Sequence, residues 1–225
     1  MKKTAILTMT AGAMLATSIG FAAPLNDYSA GKTSVDVTWR QSSLDATSQG
    51  ATDSLSKKGS MEFGITTGLG DNFAFQYTNA NNKSKDTNLP DGSGGTYREN
   101  GSLKMQEFNV LYKLDKNVSA YVGMVNLKGT INDTDAGTSS GSKNKLQFGV
   151  MGSTKLADKT AAYAQIGVAS SFNSWKIGIA QEIAPNLELN VDYRRTQAKK
   201  MNFDNGLGDV DMTAKGLGVG ISYKF

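Results

Sequence analysis

The stretch Gly216-Leu217-Gly218-Val219-Gly220-Ile221-Ser222-Tyr223-Lys224-Phe225 decides the fold. Apolar side chains hold every odd position from Leu217 to Phe225, and glycine, serine or lysine holds every even one. A period of two sends the two sets to opposite faces of a β-strand, whereas a helix would scatter both around its surface. The same alternation recurs upstream. Val35, Val37 and Trp39 interleave with Ser34, Asp36, Thr38 and Arg40, and Leu187, Leu189, Val191 and Tyr193 interleave with Glu188, Asn190, Asp192 and Arg194. Helical periodicity is almost absent.

Between these ends lies a weak internal repeat of strand, tight polar turn and strand. Its copies run Met61 to Tyr77 around Gly70-Asp71-Asn72, and Phe108 to Met124 around Asp115-Lys116-Asn117. Two more run Leu146 to Val168 around Ala157-Asp158-Lys159, and Trp175 to Tyr193 around Ala184-Pro185-Asn186. Gly, Asp, Asn and Pro supply the dihedrals that close hairpins. Four hairpins and one strand at each end predict ten antiparallel strands, an even number suited to an up-and-down barrel, with eight as the alternative count. The remaining connections, 43–57, 80–102, 129–143 and 197–214, read as long polar loops, with one short exception at 171–174.

A chain of 225 residues with 39% hydrophobic and 20% charged residues allows one domain or two small ones. It has no cysteine and no histidine, which excludes disulfides, thiolate nucleophiles, imidazole bases and Cys- or His-based metal sites. Met1-Lys2-Lys3, the uncharged run Ala5–Phe21 and the small residues Gly20 and Ala22 read as a secretory signal peptide over 1–22. Removing Lys2 and Lys3 takes the net charge from +4 to +2, too weak to suggest nucleic acid. Residues 23–225 then form the barrel.

Alternation alone does not say which face is inside. A soluble ligand-binding barrel turns its apolar face inward, a membrane barrel outward. Aromatic residues near strand ends favour the membrane: Trp39, Trp175, Tyr77 and Tyr193 on the loop side, and Phe73, Tyr112, Tyr223 and Phe225 on the turn side. Two such belts match the two bilayer interfaces. The strands beginning at Val118 and Ala161 leave their register open, because Tyr121 and Tyr163 compete with Val122 and Ile166 for the apolar face.

With these residues in view, the chain resembles the outer-membrane β-barrels, in particular the small OmpA/OmpX-like and opacity-type members. Their closing strand carries a glycine and two aromatics at the spacing of Gly220, Tyr223 and Phe225, and the resemblance implies that the barrel-assembly machinery reads them. Gly218 stands where that pattern usually has a polar residue. The resemblance covers the barrel portion of that family, and no peptidoglycan-binding domain is expected after Phe225. It also implies an outer-membrane location, contact with lipids and lipopolysaccharide, and possible host or surface ligands at the loops. Enzymatic barrels of this kind use His with Ser or Asp, so a chain without His is expected to be no enzyme.

If the apolar parity meets lipid, the lumen receives Asp36, Arg40, Glu62, Glu107, Lys113, Lys145, Lys155, Lys176, Glu182, Glu188, Asp192, Arg194 and Lys224. The charges nearly cancel, which suits an ion-paired interior; a small ion-selective pore is the alternative. Asn132-Asp133-Thr134-Asp135-Ala136-Gly137 has the opening of a calcium loop but lacks its closing Glu. Asp204, Asp209 and Asp211 cluster near two glycines. Both sets read as solvated turns, and neither metal nor cofactor is expected. Gly92, Gly94 and Gly95 make no phosphate loop, since no Gly-Lys-Ser/Thr follows. Arg194-Arg195 with Lys199-Lys200 form a basic run just past Tyr193; it reads as a solvated loop, with contact to lipopolysaccharide phosphates as the alternative. The expected role is therefore structural or surface-interacting, with porin and soluble binding barrel as alternatives.

Overall fold

A computed structural model describes residues 25–225 except 205 and 207; the expected signal peptide lies outside the described residues. Among the described residues there are eleven strands: β1 Thr33–Ser48, β2 Ala51–Gly70, β3 Phe73–Lys83, β4 Thr87–Pro90, β5 Thr96–Asp115, β6 Val118–Asp133, β7 Gly137–Ala157, β8 Thr160–Ala169, β9 Phe172–Ala184, β10 Leu187–Phe203 and β11 Gly208–Lys224. Ten of them close a ring. β1 pairs with β11, β3 pairs with β5, and every other neighbour is sequential and antiparallel. The short β4 only lines the upper part of β5. The barrel is therefore ten-stranded, and closure gives each of its strands a hydrogen-bonded neighbour on both sides, as a span through lipid requires.

The four tight turns fall where the repeat predicts them, with Asp71, Asn72 and Asn186 at positive φ. Both ends of the described chain lie on this side, where Thr33 and Phe225 exchange backbone hydrogen bonds of 2.8 and 2.9 Å. In outer-membrane barrels short turns face the periplasm, so the opposite rim is extracellular.

Which parity faces out is clear from exposure. Leu217, Val219, Ile221 and Tyr223 are exposed, as are Phe108, Val110 and Tyr112 on β5 and Val122 and Met124 on β6. Tyr121 and Tyr163 turn inward, leaving Val122 and Ile166 to the outer face. An apolar outer belt belongs to lipid, so the soluble binding barrel is set aside.

The long loops are corrected. A membrane crossing needs about 9–11 tilted residues, yet β2 and β5 have 20 and β7 has 21. The segments 43–57, 129–143 and 197–214 continue the strands as hairpins that rise beyond the belt, and 80–102 carries the ends of β3 and β5 with β4 between them. The reason is a change of parity. On β11 the odd residues Leu217–Phe225 face outward, while the even residues Val210, Met212 and Ala214 are buried inside. On β1, Val35, Val37 and Trp39 face outward, but Leu44 and Ala46 face in. Above the bilayer the solvent is water, so the wall there is polar outside and apolar inside, like a soluble barrel.

Candidate functional site

Three layers fill the lumen. The lowest is the segment entering β1. Leu25 and Tyr28 are buried against Ala74, Leu111, Tyr121 and Met151. The Tyr28 hydroxyl donates to Ser119 Oγ at 2.8 Å, Asn26 Nδ2 donates to Ser153 Oγ at 3.0 Å, and Gly70 N donates to Tyr28 O at 2.9 Å. Lys113 Nζ donates to Asn26 O and sits over the Tyr28 ring. Gly68 allows this approach, since a Cβ there would come within 2.4 Å of Ser29 O.

The middle layer is an ion-pair quartet. Arg40 Nε lies 2.9 Å from Glu62 Oε1, Arg40 Nη2 lies 2.6 Å from Asp192 Oδ1, and Arg194 Nη2 lies 2.8 Å from Glu62 Oε1. Arg40 Nη1 also donates to Gly216 O at 3.0 Å. Four charges sum to zero and are almost wholly buried, which is the condition under which buried ions persist. Around them Asp36 accepts from Ser222, Tyr163 donates to Asp192 at 3.4 Å, and Lys176 sits over the Tyr163 ring. Gln147 donates to Glu107 at 2.9 Å, and Lys224 pairs with Glu188 at 2.5 Å near the lower rim. Between these groups the cavity is about 70 Å³, room for a few waters.

The remaining charges assigned to the lumen sit away from the quartet. Lys155 pairs with Asp158 at the turn-side rim, Glu182 stands opposite Glu188 in register, and Lys145 is half-buried high on β7. The belt residues face outward and pair across strands: Phe73 with Tyr112 at 5.0 Å, Tyr77 with Phe108 at 4.9 Å, and Trp175 with Tyr193 at 5.5 Å between ring centres. Trp39, Tyr223 and Phe225 are exposed, the last two 6.0 Å apart.

Gly218 explains its own departure from the closing-strand pattern. A Cβ there would lie 2.9 Å from Arg40 Cζ and Nη2. The glycine leaves room for a guanidinium that three other groups hold in place.

The upper layer was not anticipated from the sequence. Leu44, Leu55, Leu103, Met105, Val125, Leu127, Ile131, Phe172, Met201, Phe203, Val210 and Met212 form one buried cluster inside the extracellular extension. β8 and β9 are short, and above their hairpin β10 meets β7 directly: Asp204 N donates to Ser140 O at 3.1 Å, and Lys143 Nζ donates to the carbonyls of Lys199 and Lys200 at 3.0 and 2.6 Å. The inverted parity of Leu44/Ala46, Leu103/Met105 and Val210/Met212 is the signal that could have found this core. Above it, at the mouth, a further cavity of about 300 Å³ opens between the hairpins.

The acidic loops are used structurally. Asp133 Oδ1 accepts from Asp135 N and Ala136 N at 2.7 and 3.0 Å, Asp204 accepts from Ser139 and Ser140, and Asp211 accepts from Lys200 N. The basic run is split, which corrects its reading as one patch. Arg194 is consumed by Glu62 inside, whereas Arg195 faces outward and Lys199 and Lys200 are exposed at an irregularity in β10. Adjacent strand residues point to opposite faces, so Arg194 and Arg195 could not share one.

No protein-family model matches the chain, and no curated protein sequence does. Among solved structures it is similar to the outer-membrane protease OmpT of Escherichia coli, at 8% identity and a TM-score of 0.58, covering 86% of this chain and 97% of that one. It is also similar to Ail, the attachment invasion locus protein of Yersinia pestis, at 14% identity and a TM-score of 0.42, covering 87% and 99%. A third is Neisserial surface protein A, at 16% identity and 0.45, covering 87% and 99%. The likeness to OmpT is one of fold: the architecture is that of a bacterial outer-membrane β-barrel.

Proposed function

We propose that this outer-membrane barrel is a sealed, non-enzymatic surface protein that presents stiff hairpins outside the cell. The observation that carries the reading is the three-layer filling of the lumen, with the Leu25–Tyr28 segment, the Arg40–Glu62–Asp192–Arg194 quartet and the apolar cluster stacked along one axis. A conducting pore needs a continuous aqueous path, and an apolar core across the extension opposes one. The absence of His and Cys supports the non-enzymatic part, since no imidazole base or thiolate is possible.

On this reading the signal peptide of residues 1–22 directs export, and Gly220, Tyr223 and Phe225 present the closing strand to the assembly machinery. The aromatic belts hold bilayer lipid, while Arg195, Lys199 and Lys200 meet lipopolysaccharide phosphates. The hairpins meet a host or surface ligand, and nucleic acid and cofactors play no part. The test is planar-bilayer conductance of the purified, refolded chain. No stable current steps are expected. Steady ohmic steps whose ion selectivity changes with Lys176→Glu would establish a pore instead.

A further inference from the structure

The mouth cavity lies above the apolar cluster and outside the bilayer. Its floor is apolar, made by Ala46, Ile131 and Val210, and its walls carry Asp53, Glu99 and Asp133. No lysine or arginine lines it among the described residues. Glu99 is 6% exposed, and its Oε1 has no hydrogen-bond partner among the described residues although the side chain lines the cavity. Asp133 is its register partner on β6, so two carboxylates stand opposite each other across neighbouring strands. Like charges so placed repel, and a buried acceptor left without a donor is costly. Burial together with Asp53 and Asp133 pushes the Glu99 carboxyl up to about 7. No cationic side chain lining the cavity offsets these carboxylates among the described residues.

We infer that this mouth cavity is a binding site for a small alkylammonium ion. An ammonium head has three donors, enough to serve Glu99 and either neighbouring carboxylate, while a short aliphatic stem lies on Ala46, Ile131 and Val210. Among the described residues no group of three acids is placed to hold a metal ion, and the apolar floor gives an organic cation a contact that a bare metal ion cannot use. A cavity of about 300 Å³ is within the range of small-molecule sites. The inference does not depend on the sealed lumen below.

The test is calorimetric titration of the full refolded chain in detergent micelles at pH 8 with 1,5-diaminopentane and n-butylammonium, each repeated in the presence of n-butanol or of Ca²⁺. Saturable amine binding is expected, with n-butanol and Ca²⁺ not competing. Glu99→Gln and, as a second variant, Asp53→Asn are each expected to weaken it by about tenfold or more, in protein whose heat-modifiable gel mobility shows it folded. Amine binding that survives both substitutions overturns the site, as does its absence up to about 10 mM, a weak limit for a charge-assisted contact. Ca²⁺ displacing the amine would show a metal site and overturn it equally.

Discussion

Glu62 joins both arginines of the lumen, so its charge is the test of the middle layer. Glu62→Gln keeps the shape and one acceptor oxygen but leaves Arg40 and Arg194 facing Asp192 alone. The contacts at stake are those at 2.9 and 2.8 Å from Glu62 Oε1, together with the hydrogen bond of 3.2 Å from Arg40 Nη2 to Glu62 Oε2. Removing one partner of a buried pair costs about 3–5 kcal/mol because the other charge stays buried. The retained acceptor places Glu62→Gln at the lower end, about 3 kcal/mol, a factor of about 150 in the folding constant. Arg40→Met combined with Glu62→Gln leaves the neutral pair Arg194 and Asp192, and should recover most of the loss. The assay is urea unfolding in lipid vesicles, followed by the fluorescence of Trp39 and Trp175, the two tryptophans, both on the outer face. The reasoning is refuted if Glu62→Gln costs less than about 1 kcal/mol, or if the double variant is as unstable as an additive sum requires.

Gly218→Ser should lower stability by about 1–3 kcal/mol in the same assay, because Arg40 is pinned by Glu62 and Asp192 and cannot yield to a new Cβ; an unchanged midpoint would show that the guanidinium moves freely. The mouth should impose a pH dependence. Glu99 has a folded pKa of about 7, raised from 4.5, so its protonation stabilises the fold below about 4.5 and that gain is lost as pH rises through 7. The groups facing it are Asp53, Asp133 and Tyr97, whose hydroxyl is itself pushed up by burial and by these carboxylates. The unshielded ceiling is about 3 kcal/mol, and the open mouth reduces it. Comparing unfolding at pH 5 and pH 8 in wild type and Glu99→Gln isolates it, and equal pH responses in the two would contradict it.

Strand number, turn positions and the lipid-facing parity were legible in the sequence because each rests on local chemistry. Asp71-Asn72 and Pro185-Asn186 close turns wherever they occur, and Leu217–Phe225 alternates over nine residues. The extension was obscured because its outward face is polar. Between Ser43 and Lys57 the apolar residues are only Leu44, Ala46, Ala51 and Leu55, which in composition is a loop. Their meaning comes from partners far away in the chain. Leu44 and Leu55 pack in a cluster with Leu103, Leu127 and Met212, and no local pattern announces that meeting. The ion quartet was legible only as parity: that Arg40, Glu62, Asp192 and Arg194 are inward follows from alternation, but their common height depends on the register of β1, β2 and β10.

The change of parity also says where the bilayer stops. On β11 the switch lies between Ala214 and Leu217, on β1 between Trp39 and Leu44, on β5 between Met105 and Phe108, and on β6 between Val122 and Ile131. Between neighbouring strands the register brings the switches together: Ala214 is paired with Leu44, Leu217 with Gln41, and Met105 with Leu127. A switch shared by adjacent strands is what an interface between lipid and water imposes. Below it water is excluded from the outer face, and above it water is excluded from the inner one. The hydrophobic effect acts on both halves with the same sign but from opposite sides of one continuous wall. The extension is thus held by its own core as well as by the membrane barrel beneath it. That is why its hairpins, polar as they are outside, are built as strands up to turns of only a few residues, such as Gln49-Gly50.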